Sequence, residues 1–233
     1  MGKVKPGKSS RGVFITFDGV EGCGKTTQMA LLEKYLLDQS IEVMVTREPG
    51  GTPLGEKIRR ILLDPANTEM VSETELFLYL ADRAQHVREK ILPALDAGKV
   101  VLSDRHADAS VAYQGYARDI GPELVNKLNE FATGGLIPDL TIILDLPPAD
   151  GLERAAQRQR GSAQSGAGSD RLESQRMEFH ERVRAGYLDM AGRDPDRMKV
   201  VDASGTPEEV HRMVRTECAP VLERFLEGKR SSR

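Results

Sequence analysis

The sequence predicts a doubly wound α/β domain, a parallel sheet with helices on both faces, and three observations carry that reading. Short apolar runs rich in β-branched residues alternate with longer segments of helical spacing along the chain. The first three runs are apolar almost throughout, as in strands buried on both sides. The first run also leads straight into a Gly-rich turn followed by an amphipathic helix.

Taken in order, the expected strands are Val13–Phe17, Ile41–Thr46, Lys99–Ser103, Leu140–Leu146 and Met198–Val201. The expected helices cover about 25–38, 54–63, 73–92, 121–132, 148–157, 172–191 and 207–227, where apolar residues recur at helical spacing. One stretch stands apart: Gly161–Ser169 reads G-S-A-Q-S-G-A-G-S, the composition of a flexible linker, and Arg residues flank it on both sides. The organisation expected is a basic disordered tail at 1–11, a single domain at 12–228 with a mobile lid at about 152–172, and a basic tail at 229–233.

Composition narrows the function. The 233 residues suit one domain, and 39% apolar with 30% charged residues suits a globular chain. No apolar run approaches the roughly 18 residues of a membrane span. Seven of the 33 basic residues lie in the two ends, which leaves 26 bases against 36 acids and a body at −10. Such a body is a poor surface for extended nucleic acid, which is bound through clustered Lys and Arg. Cys23 and Cys218 match no zinc or haem spacing, so a reducing cytoplasm is the expected compartment.

The Gly-rich turn is G-V-E-G-C-G-K-T, Gly19 to Thr26, the G-x-x-x-x-G-K-S/T pattern in the strand–loop–helix setting it requires. Gly19, Gly22 and Gly24 let backbone N–H groups of the loop, Val20, Glu21 and Cys23 included, turn onto phosphate oxygens. Lys25 supplies a point charge to the β and γ phosphates, the Thr26 hydroxyl suits Mg²⁺, and the helix N-terminus faces the same anion. Nucleoside triphosphate binding follows.

The class of NTP-binding protein is then sorted by what accompanies the loop. A guanine-reading N-K-x-D is missing, since Asn126-Lys127-Leu128-Asn129 ends in Asn. The strand at Lys99–Ser103 ends in Asp104-Arg105-His106 rather than in the acidic pair of a motor ATPase. Asp104 can hold Mg²⁺, directly or through water, while Arg105 grips a second phosphate, which suits a kinase whose acceptor is itself a phosphate. Arg47-Glu48-Pro49-Gly50-Gly51-Thr52 follows the second strand at the same sheet edge. Tyr79 and Arg83 lie four apart on one helix face, where a ring can stack a base and a guanidinium can donate to its carbonyl. Arg154, Arg158, Arg160 and Arg171 bracket the Gly/Ser stretch and could clamp a transferring phosphoryl group. A kinase of another nucleoside monophosphate and a P-loop binding protein without turnover stay open on these residues alone.

The ordered set F-D-G-V-E-G-C-G-K-T-T, T-R-E-P-G-G-T, L-A-D-R-A-Q-H, S-D-R-H and A-Y-Q-G-Y-A-R resembles the bacterial thymidylate kinase family over about residues 12–225. The resemblance implies a five-stranded parallel sheet, an Arg-bearing lid, a homodimer, and phosphorylation of dTMP to dTDP with MgATP in dTTP synthesis. By the same resemblance Lys25, Thr26 and Thr27 hold ATP phosphates, and Asp104 organises Mg²⁺ together with Thr26. Arg105 and Arg59 take the dTMP phosphate, and Glu48 lies near the sugar or its 5′ end. Tyr79 falls where the family usually stacks a Phe on thymine, with Phe77 a second aromatic close by. Arg83 and Gln114 read the base edge, with Ser110 nearby. Glu21 falls where one subgroup has an Asp preceding an Arg; Gly22 follows here, so the catalytic Arg is expected from the lid, Arg158 or Arg160.

Overall fold

Strand β1 (Val13–Asp18) is buried along its whole length and forms the middle of the sheet. The computed structural model describes residues 11–161 and 170–231, with the side chains of 158–161 and 231 outside that description. The N-terminal tail up to residue 10 and most of Gly161–Ser169 thus lie outside the described residues. Five strands run parallel in the order β2-β3-β1-β4-β5, with β2 at Val43–Arg47, β3 at Val100–Asp104, β4 at Leu140–Asp145 and β5 at Met198–Asp202. Ile15 and Phe17 of β1 belong to the core formed with Met29, Leu32 and Leu36 of helix α1 (Lys25–Asp38). Phe14 and Val101 join a second cluster with Val87, Ile91 and Leu95, so both faces of the central strands are covered.

Strand β2 departs from the expectation in two ways. It is an edge strand paired only with β3, and its Val45 is half-exposed, so it is not buried on both sides. It also begins at Val43 instead of Ile41. Ser40 takes a φ of +60° after α1, and its N–H and that of Ile41 return to the carbonyls of Leu37 and Leu36. This is a Schellman stop, and Ile41 serves as its apolar cap.

Helices α2 (Pro53–Leu63) and α3 (Ser72–His86) follow β2. The single helix expected at 73–92 is instead α3, a wide π-type turn at Val87–Ile91, and helix α4 (Leu92–Asp96). Pro93 explains the break, because it has no N–H to continue the ladder. After β3 the chain makes α5 (Ala107–Ser110) and a further π-type segment at Val111–Ala117, neither of them anticipated. That segment is buried nearly all round, so it shows no amphipathic period.

The remaining helices are α6 (Pro122–Thr133), α7 (Pro148–Gly161), α8 (Met177–Arg193) and α9 (Pro207–Ser231). Residues 172–176, expected within the helix at 172–191, instead precede α8 in turns where the Asp170 carboxylate accepts from the N–H groups of Leu172 and Glu173. The basic C-terminal residues Lys229 and Arg230 belong to the last turn of α9, with the Lys229 ammonium over the Phe225 ring. Among the described residues no helix is long and apolar enough to cross a membrane.

The register places the functional segments together. Asp104 lies beside Phe17 on one side and Arg47 on the other. The loop after β1, the R-E-P-G-G-T segment after β2 and Asp104-Arg105 after β3 therefore share one rim, at the carboxyl ends of the strands.

Candidate active site

The loop from Gly19 to Lys25 is shaped by close backbone approach. Gly22 has φ +74°, and a Cβ there would stand 1.9 Å from the Gly151 carbonyl oxygen at the start of α7. Gly151 has the reciprocal relation, its Cβ position lying 2.2 Å from the Glu21 carbonyl oxygen. No side chain fits between these segments, which is the physical reason the loop carries no Arg at that position. Gly24 caps α1 with φ +97°, no side-chain cap and open space around it. The first N–H groups of α1 are thus left to face a ligand.

Lys25 is buried and donates to the carbonyls of Val20 at 3.0 Å and Gly19 at 3.5 Å. Burial and Arg105 would lower its pKa, but Cys23, Glu21 and Asp104 outweigh them and hold it above the ordinary value. Glu21, Gly22, Gly24, Lys25, Thr26 and Thr27 line a cavity of about 290 Å³. Gly19, Val20 and Cys23 do not; Val20 and Cys23 turn into the core and support the loop from beneath.

The same cavity is lined by Glu48, Arg59, Tyr79, Arg83, Asp104, Arg105, Ser110 and Gln114. Tyr79 is nearly buried on this wall, whereas Phe77 is 61% exposed and faces away from it. Arg59 donates to the Pro49 carbonyl at 2.8 Å. No side-chain hydrogen bond or ion pair reaches the Asp104 carboxylate among the described residues.

Glu48 is the centre of a buried charge cluster. Its Oε2 accepts from Arg83 Nε at 2.8 Å, and its Oε1 accepts from the Nδ1–H groups of His86 and His106, each at 2.9 Å. Burial alone would raise its pKa; the charges of His106 and Arg83 and the histidine hydrogen bonds hold it well below the usual carboxylate range. Arg83 also donates to Ser110, Asn129 and the His106 carbonyl, so four of its five N–H groups are committed to protein. Ser110 thus both lines the cavity and helps to hold Arg83. Next to this cluster Asp82 accepts from the Gly50 N–H and fixes the Gly-Gly turn, and Thr52 caps α2.

Arg105 sits in the left-handed region at φ +69°, half-buried against the loop. Its guanidinium donates to the Gly19 carbonyl, to the Tyr187 hydroxyl and to the Tyr113 hydroxyl at 3.0–3.1 Å, and lies 3.8 Å from Glu21. The Tyr187 hydroxyl donates in turn to Asp18 at 2.9 Å. Asp18, Tyr113, Tyr187 and the two histidines were not anticipated as parts of the site. Tyr113 lies within the A-Y-Q-G motif already singled out, and Asp18 directly precedes the loop; Tyr187 gave no local signal.

The expected cluster of lid arginines is divided. Arg154 donates to the carbonyls of Ala203 and Ser204, and buried Arg171 donates to Glu75 and the Leu62 carbonyl. Both are anchors in this structure. Arg158 and Arg160 fall on the last turns of α7, and their side chains lie outside the described residues.

Comparison with known proteins bears on the whole chain. A family model described as thymidylate kinase matches residues 17–214. The chain is 52% identical over 210 residues to the thymidylate kinase of Nitratidesulfovibrio vulgaris, covering 90% of this chain and 97% of that protein. It is 55% identical over 198 residues to the thymidylate kinase of Desulfosudis oleivorans, covering 85% and 92%. Among solved structures, a thymidylate kinase from Ehrlichia chaffeensis matches with a TM-score of 0.71 at 33% identity, over 88% of this chain and 98% of that one.

Asp18 offers a test of the site's electrostatics. Burial, then repulsion from Asp108, pushes its carboxyl up to about 7 against the pull of Arg105 and Lys25, and among the described residues its Oδ2 has no hydrogen-bond partner. A raised carboxyl pKa means that the folded state holds the proton more tightly, so this group's cost appears as pH rises from about 4 through 7. Asp18→Asn should therefore raise Tm relative to the parent protein more at pH 8 than at pH 5. Equal Tm differences at the two pH values would remove this assignment.

Proposed function

The chain belongs to the thymidylate kinase family and phosphorylates dTMP, and from that premise we propose the roles its residues play in the transfer from ATP. The observation that carries the proposal is a single cavity whose wall holds both the phosphate-binding loop and the trio Tyr79, Arg83 and Gln114. ATP phosphates occupy the loop, where Lys25 exchanges the Val20 and Gly19 carbonyls for phosphate oxygens, and Thr26 and Thr27 complete the cradle. dTMP takes the other end, with its ring against Tyr79 and its base edge toward Arg83 and Gln114. Its phosphate lies between Arg59 and Arg105, and Arg105 still has two N–H groups unassigned.

The acceptor phosphate oxygen is already an anion at neutral pH, so the transfer needs alignment and charge neutralisation and no strong base. Glu21 beside Arg105, and Asp104 beside Lys25, act as organisers of charge. Glu48 supports the acceptor end indirectly, by holding Arg83. Thr26 and the unpaired Asp104 carboxylate fit Mg²⁺, which is commonly held by one or two protein oxygens plus substrate phosphates. No cluster of three or more His, Cys, Asp or Glu side chains suited to a metal occurs among the described residues, so the substrate phosphates would complete the set. Mg²⁺ bound there supplies positive charge to the β and γ phosphates.

We also assign the cytoplasm as the compartment, which two free and buried thiols favour. A homodimer is favoured by Phe131 at 82%, Ile137 at 65% and Phe77 at 61% exposure, on or next to helices α3 and α6, which pack together. Sedimentation should give a two-chain mass, and Phe131→Glu should shift it toward one chain; a monomeric parent protein at micromolar concentration would refute the dimer.

Lys25→Ala should fold and lose kinase activity by orders of magnitude in a coupled ADP-release assay, and near-normal turnover would sink the loop's role. Across a panel of monophosphates dTMP should be strongly preferred over dCMP and dAMP. dUMP should be slower yet detectable, since burying one methyl is worth only about 1–3 kcal/mol. Comparable efficiency with dAMP would overturn the base assignment.

An Arg at the transferring group is worth roughly 10³–10⁵ in turnover in related chemistry. With Gly22 closed to any side chain, that charge is assigned to Arg158 or Arg160. Replacing both with Ala should lower kcat far more than it raises KM for dTMP; a double variant with kcat within a few-fold of the parent would place the charge elsewhere.

A further inference from the structure

We infer that Glu75 sets the pyrimidine specificity of this site by fixing which end of the Gln114 side-chain amide faces the nucleotide. The inference rests on the base-binding role assigned above to Gln114 and Arg83. Glu75 lies on α3 with its side chain 1% exposed, outside every phosphate-binding segment. Its Oε1 accepts from Gln114 Nε2 at 2.8 Å and from Arg118 Nε at 3.3 Å. Its Oε2 accepts from Arg171 at 2.5 Å and from a second nitrogen of Arg118 at 3.1 Å. Burial would raise this carboxyl, but hydrogen bonds and charge from Arg118, Gln114 and Arg171 outweigh it and keep it ionised.

An ionised carboxylate can only accept. The NH₂ end of Gln114 must therefore face Glu75, since the reverse orientation would press a carbonyl oxygen against a buried anion. The Gln114 carbonyl is left over. Gln114 lines the cavity, and among the described residues no donor reaches that oxygen. Arg83, four-fifths committed to protein, has one N–H left, and a guanidinium can only donate. The Gln114 carbonyl and the last Arg83 N–H thus form one acceptor and one donor on this wall. Thymine and uracil carry the complement, an N3–H donor beside an O4 acceptor. Cytosine carries the opposite pair, an N3 acceptor beside an N4 amine. Arg83 enforces its half of this code by its own chemistry. Glutamine can present either end, so its half is decided by Glu75, a positioning residue that never touches the base.

The test compares kcat/KM for dTMP with that for 5-methyl-dCMP, which differs from dTMP only at N3 and the C4 substituent. In Glu75→Gln the Gln114 amide is free to turn, and the preference for dTMP should fall by roughly tenfold or more, with the remainder held by Arg83. Arg118→Met loosens the same cluster while leaving the Gln114 and Arg171 contacts to Glu75 in place, so Tm should drop with the preference held within about twofold. A preference unchanged in Glu75→Gln, or lost equally in Arg118→Met, overturns the inference. Gln114→Ala separates the two levels: if it too keeps the parent preference, the base-reading role of Gln114 fails, whereas loss there with no loss in Glu75→Gln fails Glu75 alone. Should Glu75→Gln not fold, the parent protein still decides. With ¹⁵N-glutamine labelling, the Gln114 amide, assigned by its absence in Gln114→Ala, should exchange its protons far more slowly than exposed glutamines do. Exchange at the exposed rate would overturn the assignment.

Discussion

The Glu48 carboxylate, buried among Arg83, His86 and His106, is the interaction on which the acceptor end of the site depends. It comes from the turn after β2, and its partners come from α3 and from the connection after β3, so one anion joins three separate stretches of chain. A buried charge is tolerated only when it is paired and hydrogen-bonded, and removing one partner of such a pair costs about 3–5 kcal/mol. The remaining groups then have few alternative positions. Arg83 is held at both ends, by Glu48 and by Ser110 and Asn129, and presents its last N–H from a fixed place. Asp82, one residue earlier, holds the Gly50 N–H and with it the turn that carries Pro49, whose carbonyl positions Arg59.

A second cluster does the same for the donor end. Arg105 crosses from the end of β3 to the Gly19 carbonyl and is gripped by the hydroxyls of Tyr113 and Tyr187. The loop is thereby tied to the strand beside it, and α7 is packed against its outer side through Gly22 and Gly151. Lys25, Arg59 and Arg105 gather on one stretch of the cavity wall, while Asp18 beneath the loop is pushed toward its neutral form. Such an arrangement is preorganised for polyphosphate, because the charges that will meet the ligand are already desolvated and held. The adjoining Glu75 cluster applies the same principle to hydrogen-bond direction, with two arginines keeping a carboxylate anionic so that it can orient a neutral amide.

Much of the site was legible because its motifs are local. The Gly19–Thr26 loop, Asp104-Arg105 and R-E-P-G-G-T each follow a strand, and their chemistry depends on residues adjacent in sequence. The misses have a common cause. Tyr187 lies on α8, more than 160 residues from its partner Asp18, and Glu75 meets Gln114 and Arg118 from one distant segment and Arg171 from another. The wide turns at Val87–Ile91 and Val111–Ala117 escaped notice for a related reason. The second is buried almost all round, so no alternation of apolar and polar residues marks it, and β2 reads as a central strand because its exposed face is still apolar.

By itself the sequence determined the alternation of strands and helices, the phosphate-binding loop and the residue types that meet a nucleotide, since periodicity, glycine placement and charge type act over a few neighbouring residues. Only the tertiary structure decided which of those residues are free to act. Arg83, Arg154, Arg171 and Gln114 all look like available polar groups in the sequence, yet each has most or part of its hydrogen-bonding capacity taken by distant protein atoms. That division is a matter of burial and partner geometry: a donor out of reach of water must be satisfied within the protein, and which atom satisfies it depends on segments brought together by the fold.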